Sequence, residues 1–546
     1  QLPKSIYVDD QFPYAEGLLH SGQNSAFTLI TSEMNKTQSK NKSSLSEKLT
    51  DFFDRDSKVL KNWDYSSRKD KCKWLIRGIY ADSNWTNIDI LEWTNDVADK
   101  NKFQVSSERV RIYNYCFMNG NIDPVEVFDE LNIPFADPYD FQSRMFMFLK
   151  KVNRNDKAYM YPLIKNVRNG DIIAKPRTKM SAKEYNANFM GHWKAEARGR
   201  GITLTVAPDD IKLLRSLFKV LEKLGNEYPV EVVHKGGEMT PKMEDLIRQY
   251  AEETNQEVYL IDLSPILDSD FAEERIKSFG NKWLAAMFNT FEEVMLLDAD
   301  VVIYNTPDHF FELKGYKDTG LMLWKDREII DNEIYDKCTA MAPFFEPSLE
   351  EHELLGTTQK YRLTGPSLET HNEPEATTLI DYFRKKRLTI IDSGLVIFNK
   401  KQKLHALVLS NYYHINRKFL GCVYGDKEFF EFGALAAGED YHIAPQKAAA
   451  LGPLGFHSGR QKYYAKYGNL DTLKVYYTYR VEIQGFITPD VKKQEWFQYP
   501  DCAHFMFCAF LEETSDPLSG GKLVKFTEKE VERYNDIGKA WYHGTK

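Results

Sequence analysis

The sequence predicts an α/β protein with a doubly wound, mostly parallel sheet, and three observations support this prediction. Short β-branched runs alternate with helix-length amphipathic stretches from Gly201 onward. The apolar run at residues 294–297 has the composition of a buried strand. That run ends in Asp298 and Asp300, and the carboxyl ends of strands in such a sheet border the ligand crevice. We therefore expect a binding site at this strand end.

The first 198 residues are expected to precede the sheet. Residues 1–70 are rich in Ser, Lys, Asn and Asp, which is typical of a flexible stem with a few helical patches. Residues 71–198 are expected to form a helical lead-in region, because apolar residues recur at helix-like spacing as far as Leu149. Prolines punctuate the breaks between these helices. The last part of this region, residues 161–198, looks like an irregular connector.

Residues 199–467 are expected to form the α/β domain. Its predicted elements alternate, and they lie at residues 202–207 (strand), 211–224 (helix), 230–234 (strand), 241–254 (helix) and 257–262 (strand). A helix near residues 278–290 then leads into the strand that ends at Asp298. A further strand system is expected at residues 388–400, followed by a helix at residues 403–411.

Residues 468–546 are expected to be a C-terminal, aromatic-rich extension of the same domain. Strand-like pieces occur within it at residues 473–483 and 504–511. The chain of 546 residues and 63.6 kDa can bury a large core, and its length suggests about two to four units. One catalytic domain with additions at both ends fits this length.

Composition and charge exclude several classes of protein. The chain is 42% hydrophobic and 28% charged, as is ordinary for a globular protein. A formal net charge of −8 argues against a nucleic-acid partner, since binding to a phosphate backbone needs a concentrated positive face and no basic stripe is present. Nor does the sequence contain a run of about eighteen apolar residues, so no membrane span is predicted within it.

Cysteines and glycosylation signals bear on the cellular compartment. Six cysteines lie too far apart for a C-x-x-C motif, and they are compatible with three disulfides or with six thiols. Three N-x-[ST] sequons begin at Asn35, Asn41 and Asn84. Their clustering in a polar leading segment favours a secretory compartment over the cytosol.

The D-x-D pair at the strand end is the strongest indication of chemistry. Asp298 and Asp300 suit a hard divalent ion such as Mg²⁺ or Mn²⁺, and such an ion can neutralise a diphosphate. The alternative is a surface turn with two solvated aspartates, because D-x-D is short and common. Lys282, on the helix that leads into this strand, is positioned to stabilise a leaving diphosphate. Its alternative is a solvated helix lysine.

Other segments supply polar residues of matching chemistry. His457, Gly459 and Lys462 combine a competent ligand for Mn²⁺, a glycine that lets the backbone approach phosphate, and a point charge. Asp392, followed by serine and glycine, can hold sugar hydroxyls or can cap a β-bulge. Asp426, in a G-D-K-E loop, can likewise bind sugar hydroxyls or cap a helix.

The order of these motifs resembles metal-dependent retaining glycosyltransferases of the A-type fold, which have a Rossmann-like sheet. The resemblance is carried by Lys282, D-A-D at 298–300, D-S-G at 392–394, G-D at 425–426, and His457 with Gly459 and Lys462. Residues 201–467, with their DADVV and GDKE elements and a preceding stem with sequons, are most similar to the fungal Golgi α-1,3-mannosyltransferases of glycosyltransferase family 71. This segment is about half of the chain.

The resemblance implies roles for individual residues. The metal ligands would be Asp298, Asp300 and His457. The donor diphosphate would be contacted by Asp298, Lys282, Gly459 and Lys462. The catalytic residues around the transferred sugar and the acceptor would be Lys282, Asp392 and Asp426.

The resemblance also implies an activity and a location. The enzyme would transfer mannose from GDP-mannose, with Mn²⁺ and with retention of configuration, to a terminal mannose of N- or O-linked glycans, forming an α-1,3 linkage. The protein would lie in the Golgi lumen as a type II membrane protein, with its lumenal stem at residues 1–70 and an anchor outside this sequence. Either the departing phosphate takes the acceptor's proton in a direct transfer, or Asp392 or Asp426 acts as a nucleophile in a double displacement.

Two other functions fit parts of the sequence. A phosphatase of the haloacid dehalogenase type also carries D-x-D-x-V after an apolar strand, although that motif normally opens its domain and here three strand-helix units precede it. A glycan-binding protein that keeps the transferase fold without turnover is the second alternative.

Overall fold

The structure is a computed structural model in which a helical N-terminal region packs on an α/β sheet. It describes residues 17–22, 24–40, 55–87, 100–326, 334–388, 390–416, 419, 421–445 and 528–545, together with the backbone of short strands between residues 451 and 525. Within the described residues, no helix has both the length and the apolar character needed to cross a bilayer.

The N-terminal region is helical, as predicted. Its helices are α1 (Ala26–Lys40), α2 (Arg55–Lys61), α3 (Arg68–Tyr80), α4 (Asn84–Asn87), α5 (Lys100–Tyr113), α6 (Pro124–Asp129) and α7 (Pro138–Met145). A π-helical turn, Asn114–Met118, continues α5, and a disulfide between Cys72 and Cys116 joins this turn to α3. Asp123 and Asp137 cap α6 and α7, each ahead of a proline at the first helical position.

Helix α1 lies within the segment that the sequence assigned to a flexible stem. Its Phe27 and Ile30 are fully buried, and Glu108 of α5 accepts hydrogen bonds from Ser25 Oγ at 2.7 Å and from the Ala26 N–H at 2.9 Å. This part of the predicted stem is therefore packed into the fold rather than flexible. The domain limits at residues 70, 198 and 467 stay a prediction.

A nine-stranded sheet forms the centre of the α/β region. Its strands are β1 (Leu163–Asn166), β2 (Ile172–Ile173), β3 (Arg200–Leu204), β4 (Val230–His234), β5 (Val258–Asp262), β6 (Glu293–Leu297), β8 (Leu321–Lys325), β9 (Ile391–Asn399) and β10 (His442–Ile443). A short strand β7 (Val302–Ile303) lies outside it. The strand order is β10-β8-β9-β6-β3-β4-β5-β1-β2.

The sheet is mixed, with a parallel centre. Strands β3, β4, β5 and β6 are parallel to one another, as predicted. Strand β9 runs antiparallel between β6 and β8, and β1 pairs antiparallel with β5. The segment at residues 161–198, expected to be an irregular connector, supplies β1 and β2 at the sheet edge as well as two helices. This topology agrees with the predicted α/β class, but the expectation of a mostly parallel sheet holds only for its centre, because β6 has a parallel neighbour in β3 and an antiparallel neighbour in β9.

Helices cover both faces of the sheet. They are α8 (Ala182–Ala187), α9 (Phe189–Glu196), α10 (Ile211–Lys223), α11 (Pro241–Glu253), α12 (Ser269–Arg275), α13 (Asn281–Phe288), α14 (Pro307–Phe311), α15 (Lys314–Thr319), α16 (Asp336–Thr339), α17 (Leu349–Leu355), α18 (Pro374–Phe383), α19 (Lys400–Ile415) and α20 (Phe429–Ala437). Side chains of β6 alternate between two hydrophobic cores: Val294 and Leu296 lie in one, Met295 and Leu297 in the other. The sheet therefore separates two apolar layers.

The C-terminal part contains short strands and one long helix. The strands are β11 (Leu451–Gly452), β12 (Leu454–His457), β13 (Lys462–Ala465), β14 (Tyr477–Tyr479), β15 (Phe486–Ile487), β16 (Gln494–Phe497), β17 (Phe507–Phe510) and β18 (Gly521–Lys525). The helix α21 (Glu528–Thr545) packs on α10, where Ile537 and Trp541 enter the core beneath the sheet. This helix was not predicted from the sequence.

Candidate active site

The D-x-D pair lies where β6 ends. β6 stops at Leu297, and the Asp298 N–H donates a hydrogen bond of 2.9 Å to the carbonyl of Gly394 on the neighbouring strand β9. The Val301 N–H then donates to the carbonyl of Asp298 at 3.1 Å, which turns the chain. The apolar strand is buried while the side chain of Asp298 keeps 39% of its exposure. The D-x-D pair therefore lies where the buried strand reaches the surface of the protein.

Lys282 connects three of the sequence motifs. It projects from the first turn of α13, a helix that is buried on nearly all sides, and its own side chain is only 8% exposed. Its Nζ lies 2.7 Å from Asp298 Oδ1 and 3.0 Å from Asp426 Oδ2, and it donates a hydrogen bond of 2.8 Å to the carbonyl of Ser393. A buried ammonium needs such partners because isolated burial of a charge is costly. The lysine is therefore buried and fully bonded rather than a solvated helix residue. We call Lys282 together with Asp298, Asp426 and the Ser393 carbonyl the Lys282 hub.

Electrostatics at this hub favour the charged form of the lysine. Burial alone would lower the pKa of Lys282, but the charges of Asp298 and Asp426 outweigh burial and raise its pKa. The ammonium therefore stays protonated at neutral pH.

The carboxylates of the D-x-D pair have too little positive charge beside them. Burial raises the pKa of Asp298, Lys282 opposes this rise, and Asp426 adds to it. The 39% exposure of this side chain limits the rise, because a carboxylate open to solvent keeps part of its hydration. Burial also raises the pKa of Asp300, and the nearby charge of Asp210 adds to that rise. A divalent cation would supply the missing charge, so the donor chemistry of this pair fits a hard metal ion.

Asp392 is held beside the same crevice. Its Oδ1 accepts a hydrogen bond of 2.8 Å from the Gly394 N–H, and its partner on β8 is Trp324, next to a shift in the register of β8 and β9. This shift is compatible with the bulge that was the alternative explanation of this segment. Burial and the charge of Asp326 raise the pKa of Asp392, whereas Lys427 and Lys282 lower it. The carboxylate is thus both a local cap and a member of the charged group around Lys282.

Sequence analysis missed Asp326 and Lys427. Asp326 follows directly after β8, its N–H donates a hydrogen bond of 2.7 Å to the Ile390 carbonyl, and its carboxylate forms an ion pair with the ammonium of Lys427. The signal was available, because an apolar strand that ends in a carboxylate is the pattern that identified Asp298. Strand β8 itself was not predicted from the sequence, so Asp326 was not recognised as the end of a strand.

The remaining predicted residues fall on the C-terminal strands. His457 and Lys462 are cross-strand partners in the antiparallel pair of β12 and β13, but their side chains lie outside the described residues. Gly459 also lies outside the described residues. Across the part of the chain that the structure describes, no group of three or more His, Cys, Asp or Glu side chains is arranged to hold a metal ion. The role of His457 as the third ligand stays a prediction.

A cavity of about 600 Å³ lies at the opposite ends of the strands, near their amino termini. It is lined by residues at the starts of the strands, including Arg200 and Glu231, and by Lys400 at the start of α19. None of the predicted site residues lines it. In open α/β sheets, ligands bind beyond the carboxyl ends of strands, so we assign the candidate site to the crevice around Lys282.

Comparisons with known proteins show the family of the chain. The family model Mannosyl_trans3, which describes mannosyltransferases, matches residues 199–470. The chain is 34% identical to the α-1,3-mannosyltransferase MNT3 of Saccharomyces cerevisiae over 87% of this chain and 83% of that protein. It is 24% identical to the α-1,3-mannosyltransferase MNT2 of the same yeast over 82% of this chain and 90% of that protein.

Likeness to solved structures is weaker. A galactosyltransferase, LgtC, crystallised with donor and acceptor sugar analogues, aligns with 45% of this chain and 73% of its own at 14% identity and a TM-score of 0.27. The relatives in sequence, matched over most of their length, show the family: the chain belongs to the fungal α-1,3-mannosyltransferase family and is a glycosyltransferase.

Proposed function

We propose that the protein transfers mannose from GDP-mannose to a terminal mannose of N- or O-linked glycans, with retention of configuration and formation of an α-1,3 linkage. As a glycosyltransferase it uses a nucleotide-sugar donor and a glycan acceptor; the identities of these two substrates are the proposal. The names of the yeast relatives support the sugar and the linkage. A phosphatase of the haloacid dehalogenase type is disfavoured, because three parallel strands, β3 to β5, precede the D-x-D strand.

The observation that carries the proposal is the position of Lys282. One buried ammonium contacts Asp298 of the D-x-D motif, Asp426 of the G-D motif and the backbone carbonyl of Ser393 beside Asp392. A cation held rigidly next to the D-x-D pair can stabilise negative charge that develops on a leaving diphosphate. The site therefore has the parts that departure of a nucleoside diphosphate requires.

In the proposed reaction, the bond between the sugar C1 and the β-phosphate oxygen breaks, and its electron pair stays on the phosphate. The acceptor hydroxyl oxygen forms the new bond to C1 on the same face, and its proton passes to the departing phosphate oxygen. The three N–H groups of Lys282 are engaged by Asp298, Asp426 and the Ser393 carbonyl, so this lysine stabilises the phosphate through its positive charge as negative charge accumulates there. The partly exposed Asp392 accepts hydrogen bonds from sugar hydroxyls.

We favour this direct transfer over a double displacement through Asp426. The side chain of Asp426 is 4% exposed and is bound to Lys282, so it is poorly placed to attack a sugar carbon. Its role in the proposal is to position the lysine. Asp392 keeps one oxygen free of the Gly394 hydrogen bond and is the remaining candidate nucleophile. Intact-mass analysis during turnover checks this, because a mannosyl adduct on Asp392 would contradict the direct route.

Asp298 and Asp300 would hold Mn²⁺, with His457 as a third ligand. When bound, the ion would neutralise the diphosphate and so weaken the bond to the sugar. Gly459 and Lys462 would lie against the same diphosphate.

We place the protein in the Golgi lumen as a type II membrane protein. The two disulfides, Cys72–Cys116 and Cys338–Cys422, support an oxidising compartment, as do the sequons at Asn35, Asn41 and Asn84. Whether the remaining two cysteines form a third disulfide stays a prediction, because Cys502 and the side chain of Cys508 lie outside the described residues.

A screen of nucleotide sugars tests the proposed activity. The protein is incubated with Mn²⁺, α-mannobiose and each common nucleotide sugar in turn, and the linkage of any product is determined. We expect consumption of GDP-mannose only, and an α-1,3-linked product.

Two variants complete this test. Asp300→Ala should be folded, by its circular dichroism spectrum and Tm, but inactive, whereas Asp270→Ala, which removes an exposed aspartate from the first turn of α12, should keep wild-type activity. Equal activity of Asp300→Ala and wild type would remove the metal from the proposal. Binding of mannosides without turnover of any donor would instead favour the glycan-binding alternative.

A further inference from the structure

Two large aromatic side chains are exposed next to the candidate site. Phe279 is 53% exposed and Tyr424 is 64% exposed, and their ring centroids are 6.3 Å apart. The ring planes are inclined by 52°, so the two rings form the walls of a shallow notch. Most aromatic residues in the part of the chain that the structure describes are buried, and a pair of rings left together in solvent forgoes a favourable burial.

The sequence places this aromatic notch directly beside the Lys282 hub. Phe279 precedes α13, which carries Lys282, and Tyr424 lies in the loop that carries Asp426. Nζ of Lys282 and Oδ2 of Asp426 are 3.0 Å apart, so the two chain segments are fixed to each other at the base of the notch. The notch and the charged hub are two parts of one surface.

Gly425 allows the two aromatic segments to approach each other. Its φ of +70° is a conformation that other residues rarely adopt, and a Cβ at this position would lie 3.3 Å from Cγ of Phe279. The Phe279 ring therefore rests against a bare stretch of backbone beside Tyr424. This close approach gives the exposed notch a defined shape.

The notch adjoins the Asp426 side of the hub. Lys282 contacts both Asp298 of the D-x-D pair and Asp426, and Tyr424 lies two residues before Asp426 in the same loop. The Lys427 ammonium lies 5.9 Å from the centroid of the Tyr424 ring and pairs with Asp326. With the donor diphosphate expected at the D-x-D pair, the notch is left for the other substrate.

We propose that Phe279 and Tyr424 bind the terminal sugar of the acceptor by stacking against its apolar face. A hexose ring presents C–H groups on one face and hydroxyls around its rim, so it matches aromatic walls that stand beside carboxylates. The pair then positions the acceptor hydroxyl next to the donor sugar at the hub. This inference rests on the proposed glycosyl transfer, and it assigns the acceptor site within it.

Leucine variants of the two rings test the assignment. Tyr424→Leu and Phe279→Leu keep apolar volume but remove the aromatic face, whereas Tyr424→Phe keeps the face and removes only the hydroxyl. Tyr65→Leu is the matched control, because Tyr65 is 82% exposed and lies in the N-terminal helical region. Each variant is checked for wild-type Tm before its kinetics are measured.

We expect each leucine variant to raise the KM for α-mannobiose about tenfold, while the KM for GDP-mannose changes less than about twofold. Tyr65→Leu should stay within about twofold of wild type for both substrates, and Tyr424→Phe, which keeps the aromatic face, should have a lower acceptor KM than Tyr424→Leu. If the leucine variants left the acceptor KM unchanged, or raised the donor KM equally, the assignment would be wrong.

Direct binding separates this inference from the proposed function. Saturation-transfer NMR measures α-mannobiose on the protein without any donor. Loss of the saturation signal in Tyr424→Leu, with the signal kept in Tyr65→Leu, supports the sugar-binding notch even if no nucleotide sugar is consumed. An equal signal in both variants overturns it, whatever the transferase assays give.

Discussion

Single residues decide the chemistry of the crevice, and Lys282 is the most constrained of them. Replacing it with methionine keeps most of the side-chain volume but leaves Asp298 and Asp426 without their shared cation. We expect Lys282→Met to reduce kcat at least about 100-fold, since removal of one donor at a site of developing charge has an effect of this order.

Lys403→Met is a suitable control for the loss of a buried lysine. Lys403 is 4% exposed and donates a hydrogen bond of 2.6 Å to the Asp440 carbonyl, outside the crevice. We expect this variant to lower Tm without a comparable loss of kcat. If both variants lost activity to the same extent, the effect of Lys282→Met would be one of stability only.

Glu431 gives the protein a measurable pH dependence of stability. This buried carboxyl accepts hydrogen bonds from Thr378 Oγ1 at 2.7 Å and from the Tyr441 hydroxyl at 3.2 Å, and burial raises its pKa to about 8. The folded state therefore binds a proton that the unfolded state releases at lower pH. Stability from this group is complete below the unfolded pKa and is lost as the pH rises towards about 8.

Substitution of this glutamate removes the linked proton. We expect the fall in Tm between about pH 5 and pH 8 to be smaller in Glu431→Gln than in wild type, because the amide does not titrate. Glu273→Gln, which changes an exposed glutamate of α12, should keep the wild-type slope. Parallel Tm profiles for Glu431→Gln and wild type would contradict the role of Glu431.

Much of the candidate site could be predicted residue by residue. Asp298 was recognisable because an apolar strand precedes it, and Lys282 because its helix leads into that strand. The contact between Lys282 and Asp426 could not be predicted, since it depends on how distant loops meet in three dimensions. The roles of His457, Gly459 and Lys462 stay predictions.

Among the elements, strand direction was the least predictable property. The strand at residues 388–400 was expected, but its antiparallel insertion as β9 between β6 and β8 was not. An apolar run has the same composition in either direction, so only the pairing partners determine its sense. The insertion matters for the site, because it brings the carbonyls of Ser393 and Gly394 to Lys282 and Asp298.

The disulfide Cys338–Cys422 restrains the loop that contributes Asp426 to the candidate site. It joins α16 to the loop that carries Tyr424 and Asp426. We expect Cys338→Ser/Cys422→Ser to lower the free energy of unfolding by roughly 4 kcal/mol through the entropy of the unfolded chain. Because this loop also lines the crevice, the acceptor KM should rise even well below Tm.

The second disulfide provides the comparison. Cys72–Cys116 lies among the N-terminal helices, so Cys72→Ser/Cys116→Ser should reduce stability by a similar amount while the acceptor KM is retained. Thermal unfolding and steady-state kinetics of both double variants make the comparison. Equal kinetic effects would mean that neither bridge has a specific influence on the crevice.

The whole molecule is held together by segments that are far apart in the sequence. The C-terminal helix α21 returns to pack on α10, where Trp541 is 2% exposed. We expect Trp541→Ala to lower the free energy of unfolding by about 3 to 5 kcal/mol, as is usual for large-to-small changes in a core. Chemical denaturation measures this loss.

An exposed position on the same helix serves as the control. The side chain of Lys539 is 65% exposed, and Lys539→Ala should change stability by less than about 0.5 kcal/mol. A loss of similar size in both variants would contradict a specific contribution from packing of the tryptophan, because alanine is the better helix former at both positions.

At the scale of the whole chain, the α/β class and the helical lead-in were predictable, because periodicity and alternation are local signals. The packing of α1 on α5 was not, since a short polar segment contains no signal for its distant partner. The same holds for α21, which gains its place through contacts with α10.

The meeting of remote segments at one lysine has a consequence for protein engineering. Because Lys282, Asp298, Asp426 and the Ser393 backbone share one set of contacts, their mutational effects will not be additive. Libraries that diversify one segment at a time are therefore expected to contain mostly inactive variants. Libraries that recombine all of these segments from natural relatives keep residues that are adapted to one another. They offer the better route to altered donor or acceptor preference.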